Sequence, residues 1–340
     1  MSIFGREIAE QPAVAARLLD DRGPVVEAAR AIQRARPVGF LIAARGSSDH
    51  AAIYARYLFE IRNRIPVALA APSAFGLYRR PPKVGSWTVI GISQSGASAD
   101  VCEVLEEAGR QGALTIAITN RPESRLGRAA RLVLDLRAGR ERSVPASKTY
   151  TASLLLLALL SAHLDPDPEL DAALPRVPEA LARALEVNGR RGNAVEALKA
   201  HRLAVLGRGY HLATAAEVAL KITETSYSVA EARSTADFLH GPVAAIEPGF
   251  PVLLLEASGP TLRHLQNLRR RLQVAGATVV RITDRPRGDR LTLTVRSELP
   301  ESLTPLPFAV AGQLLALELA AAHGLDPDRP RRLRKVTITR

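Results

Sequence analysis

The chain has 340 residues, about twice a common domain length, which points to two domains. It is 47% hydrophobic and 24% charged, which excludes wholesale disorder, and its single cysteine, Cys102, excludes a disulfide framework or a cysteine-rich metal site. A net charge of +12 raises a polyanionic partner such as nucleic acid, but only 4% of residues are aromatic, which argues against a base-stacking platform.

Residues 1–36 read as a helical lead-in. Arg6, Glu7 and Glu10 interrupt any signal-peptide apolar region. Next comes the run VGFLIAARGSS (Val38–Ser48), an apolar strand that ends in Arg-Gly and opens a helix over Asp49–Arg62. WTVIGISQSG ends a second strand at Gly96, and Ala99–Gln111 reads as the following helix. GALTIAITNRP from Gly112 and RLVLDLRAG from Arg131 supply two more strands. The longest apolar run, Leu154–Leu160, is too short for a membrane span, so a cytoplasmic protein without membrane association is expected. Residues 166–200 read as a helical linker, opening on a stretch rich in Pro and Asp.

The same pattern then returns. LAVLGRGY repeats the first strand, with Gly209 standing 163 positions after Gly46. FPVLLLEASG ends at Gly259, again 163 after Gly96, and a helix is expected over Thr261–Ala275. GATVVRITDRP and RLTLTVRSE follow at similar offsets. The sequence is therefore a duplicated α/β unit, spanning 37–165 and 201–325 with a tail at 326–340. Apolar strands alternating with amphipathic helices predict doubly wound parallel sheets, with ligands at the strand carboxyl ends.

Two loops at such ends carry hydroxyls: Gly46, Ser47 and Ser48 in one, Ser93, Gln94, Ser95 and Ser98 in the other. One such loop reads most simply as helix N-caps, whereas two neighbouring ones point to a phosphate cradle. The second unit's loops, GRGYH and EASGPT, hold fewer hydroxyls, so the phosphate is expected in the first unit. Glu217, Lys221 and Glu224 share one face of an otherwise apolar helix, which points to a cleft more than to a solvent-exposed ladder. Lysine here stands out in a chain with only five, because lysine, unlike arginine, can be tuned to act as a base or nucleophile. His240, in the turn FLHGP, is an acid–base candidate. Lys335, in PRRLRKVTITR, reads by composition as part of a solvated basic tail.

The segments ARGSSDHA, SQSGASAD, LRAGRERSVPASKTYTASL, LGRGYHLATAAEVALKITETSYSVAEA, FLHGPV and PRRLRKVT resemble, in order, the double-SIS (sugar isomerase) phosphosugar proteins. That family includes the isomerase half of glutamine–fructose-6-phosphate aminotransferase and the SIS-type glucosamine-6-phosphate deaminases. RGSSDHA, RYLFEI and LRKVT look most like the deaminase branch. The resemblance implies two tandem SIS domains, each a flavodoxin-like parallel sheet flanked by helices. It implies phosphate binding by Ser48, Ser93, Ser95 and Ser98 with Gln94 beside them, and backbone sugar contacts near Val144 and Ala146. It also implies Glu224 as the base moving a proton between C1 and C2, with Glu217 and Lys221 beside it on the same helix. His240 would open the ring, reaching into the neighbouring subunit of a homodimer, and Lys335 would form an imine with the keto-sugar. That role reverses the compositional reading of Lys335. No metal or organic cofactor is expected.

The chain departs from the family pattern at VPASK, where Ala146 replaces a hydroxyl and Pro145 removes a backbone donor, and at SQSGAS, which lacks a carboxylate after the glycine. The aminotransferase branch needs a glutaminase cysteine beside the initiator methionine. This sequence begins Met1-Ser2 and Cys102 falls in a predicted helix, so glutamine-dependent synthesis is not expected of this polypeptide. The expected reaction is glucosamine 6-phosphate plus water to fructose 6-phosphate plus ammonia. Aminotransferase-like isomerisation, another phosphosugar isomerisation and deglycation are the enzymatic alternatives. A non-catalytic phosphosugar regulator would not need Glu224, His240 and Lys335 together. No helix-turn-helix or zinc motif supports a nucleic-acid partner, and the positive charge is better read as attraction for an anionic sugar phosphate.

Overall fold

The computed structural model describes residues 1–186, 191–285 and 289–335. The chain forms two compact units. The first comprises Ala13–Glu141, Lys148–Pro175 and the tail from Leu333, described as far as Lys335. The second comprises Met1–Pro12, Arg142–Ser147 and Arg176–Arg332.

The first unit is built on β1 (Phe40–Ala43), β2 (Val67–Leu69), β3 (Thr88–Ile92), β4 (Leu114–Thr119) and β5 (Leu132–Asp135). They form one parallel sheet in the order β2-β1-β3-β4-β5. The second is built on β6 (Arg202–Gly207), β7 (Val229–Ser234), β8 (Pro251–Glu256), β9 (Thr278–Thr283) and β10 (Thr292–Thr294). Their parallel order, β10-β9-β8-β6-β7, is the same flavodoxin-like order again. The duplication read in the sequence is thus a duplication of topology.

Helix spacing explains the layers. In Ala99–Arg110, Val101, Val104, Leu105 and Ala108 fall on one face and pack with Leu41 and Val89 of the sheet. In Leu262–Val274, Leu265, Leu268 and Leu272 do the same against Val252 and Leu254, each buried side chain contributing about 2 kcal/mol. Two helices are apolar all round and form the unit centres: Lys148–Leu164 in the first and Pro305–Ala322 in the second. The stretch Glu301–Ala322, although broken by polar residues, is long and apolar enough to cross a membrane by length and composition, but 72% of its 18-residue apolar window is buried, as in a core helix. It packs along His211–Ser226, and Gly312 permits the close approach, since a Cβ there would collide with Val218.

The first 36 residues and the linker are shared between the units. Helix Ile3–Ala9 packs on Pro305–Ala322, whereas Gly23–Ala35 packs on Lys148–Leu164. Within 166–200, Pro168–Ala173 belongs to the first unit, and Val177–Leu185 and Arg191–Leu198 pack on Pro305–Ala322. Residues 187–190 of this stretch, and 336–340 of the tail, lie outside the described residues.

Candidate active site

In the first unit β1 and β3 are neighbours in register, Ala43 opposite Gly91, so the loops leaving their carboxyl ends lie side by side. Gly46, at φ +56°, turns the chain into helix Ser47–Arg62, and no side chain caps that helix. Ser47 and Ser48 occupy its first turn. Arg45 reaches across to the first turn of helix Ala99–Arg110, which follows the second loop, its Nε 2.7 Å from Asp100 Oδ2. In that second loop Ser93 is buried, and its Oγ lies 3.2 Å from Ser98 Oγ. Ser95 Oγ accepts from Ala97 N at 3.3 Å, and the Gln94 carbonyl accepts from Asn120 N at 3.1 Å. Ser98 precedes helix Ala99–Arg110 but its side chain makes no capping bond. The N-cap explanation therefore does not account for these hydroxyls. Hydroxyls beside uncapped helix N-termini are an anion-binding arrangement.

Two arginines that the sequence reading passed over complete this surface. Arg121 and Arg125 line a cavity of about 690 Å³ together with Ser95, Gly96, Ala97 and Ser124. Arg125 is held by two 2.8 Å bonds to Glu106. Both arginines follow β4, the fourth strand of the unit and the neighbour of β3 in the sheet, and that position was the signal available for them. Burial pushes the Asp49 carboxyl up from its usual value, opposed by His50 and Arg45.

The charged face of helix His211–Ser226 belongs to the second unit. Glu217 is 0% exposed and Lys221 1%, which excludes a solvated ladder. Lys221 Nζ lies 3.5 Å from Glu217 Oε1 and 2.6 Å from Glu224 Oε2. Glu224, 17% exposed, is the member of the three that reaches the surface. Thr225 Oγ1 donates to Lys221 O at 2.8 Å and bonds Ala316 O at 3.2 Å, fastening the helix at this turn. A lysine ammonium between two carboxylates fixes the position of the outer one through a charge-assisted hydrogen bond.

This chain belongs to the SIS domain family. Residues 39–162 and 197–320 match that family, which is most of both units. A glutamine–fructose-6-phosphate aminotransferase of Thermococcus kodakarensis is 34% identical over 98% of this chain. The chain spans 57% of that relative's length. Among solved structures, one from Silicibacter pomeroyi DSS-3, provisionally assigned as a phosphosugar isomerase, is 35% identical, covers 96% of this chain and all of its own, and has a TM-score of 0.88. The C-terminal domain of the Francisella tularensis glucosamine-fructose-6-phosphate aminotransferase is 25% identical, covering 97% of this chain and 98% of its own, with a TM-score of 0.84.

The remaining family positions fall as follows in this SIS protein. Val144 and Ala146 are half-buried in a segment, Arg142–Ser147, that clusters with the second unit. Glu7 accepts from the amides of Arg142 at 2.6 Å and Ser143 at 3.1 Å. Lys335 Nζ lies 2.7 Å from the buried Glu141 Oε2 and is 23% exposed, so it is not a solvated tail residue. Glu141 also accepts from Thr149 N at 3.1 Å and Thr149 Oγ1 at 2.8 Å. Glu7 and Glu141 were not singled out from sequence, because each acts through a partner that only folding supplies. His240 stands apart: it is exposed at the end of helix Thr235–Leu239, and no hydrogen bond or ion pair to a described residue holds its ring.

The second unit's equivalent loops differ in charge. Glu301 crowds Gly259 and accepts from Thr261 Oγ1 at 3.4 Å, and burial pushes its carboxyl up. Asp284 accepts from Ser258 N at 3.0 Å. Carboxylates at this position disfavour an anion there. Among the described residues no three of His, Cys, Asp and Glu gather as metal ligands would.

Proposed function

We propose that the protein is an amino-sugar-phosphate isomerase and deaminase, converting glucosamine 6-phosphate and water to fructose 6-phosphate and ammonia. The observation that carries this reading is the buried Glu217–Lys221–Glu224 group, with a single carboxylate brought to the surface beside a fixed ammonium. The serine loops of the first unit bind the phosphate. His240, from a neighbouring copy in a cytoplasmic homodimer, moves a proton between the anomeric hydroxyl and the ring oxygen. Glu224 takes the proton from C2 of the open-chain aldehyde and returns it at C1, which leaves a ketimine. Water adds to that C=N bond and ammonia departs, either directly or after Lys335 has displaced ammonia as its own imine. Glu141, 2.7 Å from the Lys335 nitrogen, is the acceptor for the proton that nitrogen must lose first.

Glu224→Gln should abolish ammonia release, yet retain binding of glucosamine 6-phosphate by calorimetry. Near-normal turnover in that variant would overturn the assignment. The 34% identity to an aminotransferase favours a second reading, isomerisation or ammonia-dependent amination in the opposite direction. Initial rates on glucosamine 6-phosphate, on fructose 6-phosphate alone, and on fructose 6-phosphate with ammonia separate the two.

A further inference from the structure

Helix Ile3–Ala9 carries no motif that reads as chemistry. Ser2 Oγ caps it by accepting from Gly5 N at 3.0 Å, and Asp328 accepts from Ile3 N at 2.6 Å and Phe4 N at 2.9 Å. Phe4 and Ile8 are fully buried. Glu7 stands on that face, three positions after Phe4, and is only 3% exposed. A carboxylate is costly there unless donors surround it. Two of its donors are consecutive backbone amides, Arg142 N at 2.6 Å and Ser143 N at 3.1 Å, one to each oxygen. They immediately precede Val144, in a segment with neither helix nor strand. Such a segment takes its conformation from whatever binds its amides. Pro145 has no N–H to contribute, so more of that work falls on its neighbours.

We infer that Glu7 is a positioning residue for the sugar subsite, holding residues 142–146 in the conformation that meets the sugar without touching substrate itself. The inference rests on the phosphosugar reading of Val144 and Ala146. It implies that sugar recognition and phosphate recognition separate. The two amides that Glu7 is seen to hold belong to residues 142 and 143, outside the phosphate loops that follow β1 and β3, so inorganic phosphate should bind as before when Glu7 is altered.

The test is Glu7→Gln in the full chain, which keeps the volume but turns a donor nitrogen toward an amide donor. With Glu224→Gln present to prevent turnover, the Kd for glucosamine 6-phosphate should rise roughly ten-fold, the scale of a lost charge-assisted hydrogen bond. The Kd for inorganic phosphate should stay within about two-fold, since no phosphate contact changes. With Glu224 intact, KM should rise while kcat changes little. Ser2→Ala, which weakens the same helix without touching the loop, should lower Tm and leave both constants. An unchanged sugar-phosphate Kd, equal weakening toward both ligands, or the same effect from Ser2→Ala would each overturn the inference. If Glu7→Gln does not fold, Glu7→Asp is measured the same way, with a smaller shift of the same sign expected. If the parent protein binds no glucosamine 6-phosphate, the phosphosugar reading falls and this inference with it. If the parent binds normally and the Glu7 variants match it, only the role of Glu7 falls.

Discussion

Replacing Lys221 by Met tests whether the buried charge group is as tightly balanced as its geometry implies. The ammonium lies 3.5 Å from Glu217, a wholly buried carboxylate, and 2.6 Å from Glu224. Met fills most of the lysine volume, so packing is largely kept and the change is chiefly electrostatic. Removing one partner of a buried ion pair costs about 3–5 kcal/mol, because the other charge stays in the interior without its counter-charge. At about 2–4 °C per kcal/mol for units of this size, Tm should fall by roughly 6–20 °C. Urea denaturation at pH 7 and calorimetry measure the loss. Adding Glu217→Gln to Lys221→Met removes the stranded charge and should recover at least half of it. Turnover should stay low in the double variant, because Glu224 has lost the group that orients it. A loss below about 1 kcal/mol, or one indifferent to Glu217→Gln, would refute the reasoning, since it would mean that the Lys221 ammonium is not what balances the Glu217 charge.

Burial lowers the His211 ring to about 3, with Nε2 2.9 Å from Thr304 Oγ1 and the ring tilted at 49° against Phe308. The unfolded chain takes up this proton near pH 6.5 and the folded chain does not. Stability is therefore fully present above pH 6.5 and falls below it by up to about 1.4 kcal/mol per pH unit. Denaturation at pH 7, 6 and 5 should show this slope reduced by one proton in His211→Gln. Gly96, at φ +61°, packs so closely on Ser124 that a Cβ would overlap its hydroxyl. Gly96→Ala should cost about 1–3 kcal/mol and weaken inorganic phosphate binding, read by denaturation and calorimetry.

Much of this fold is local enough to be legible from sequence. Val101, Val104, Leu105 and Ala108 recur at helical spacing, and VGFLIAA runs apolar without alternation, as a strand covered on both faces must. The helix Pro305–Ala322 escaped a count of unbroken apolar residues because Gln313 and Glu318 interrupt it, and it is buried all the same. For the site, the serines of the two loops were legible by position, but not the Ser93–Ser98 hydroxyl pair that leaves helix Ala99–Arg110 without a side-chain cap. The spacing of Glu217, Lys221 and Glu224 was legible, whereas their different burial was not.

By itself the sequence determined the duplication, the strand and helix succession, and the residue types at each strand end. These follow from periodicity and from short-range turn chemistry. Tertiary structure alone decided that Glu7 grips Arg142 and Ser143, more than 130 positions away, and that Glu141 holds Lys335, 194 positions away. A buried carboxylate is tolerated only where donors converge on it, and which donors converge depends on how distant segments pack, not on the residues beside it in the chain.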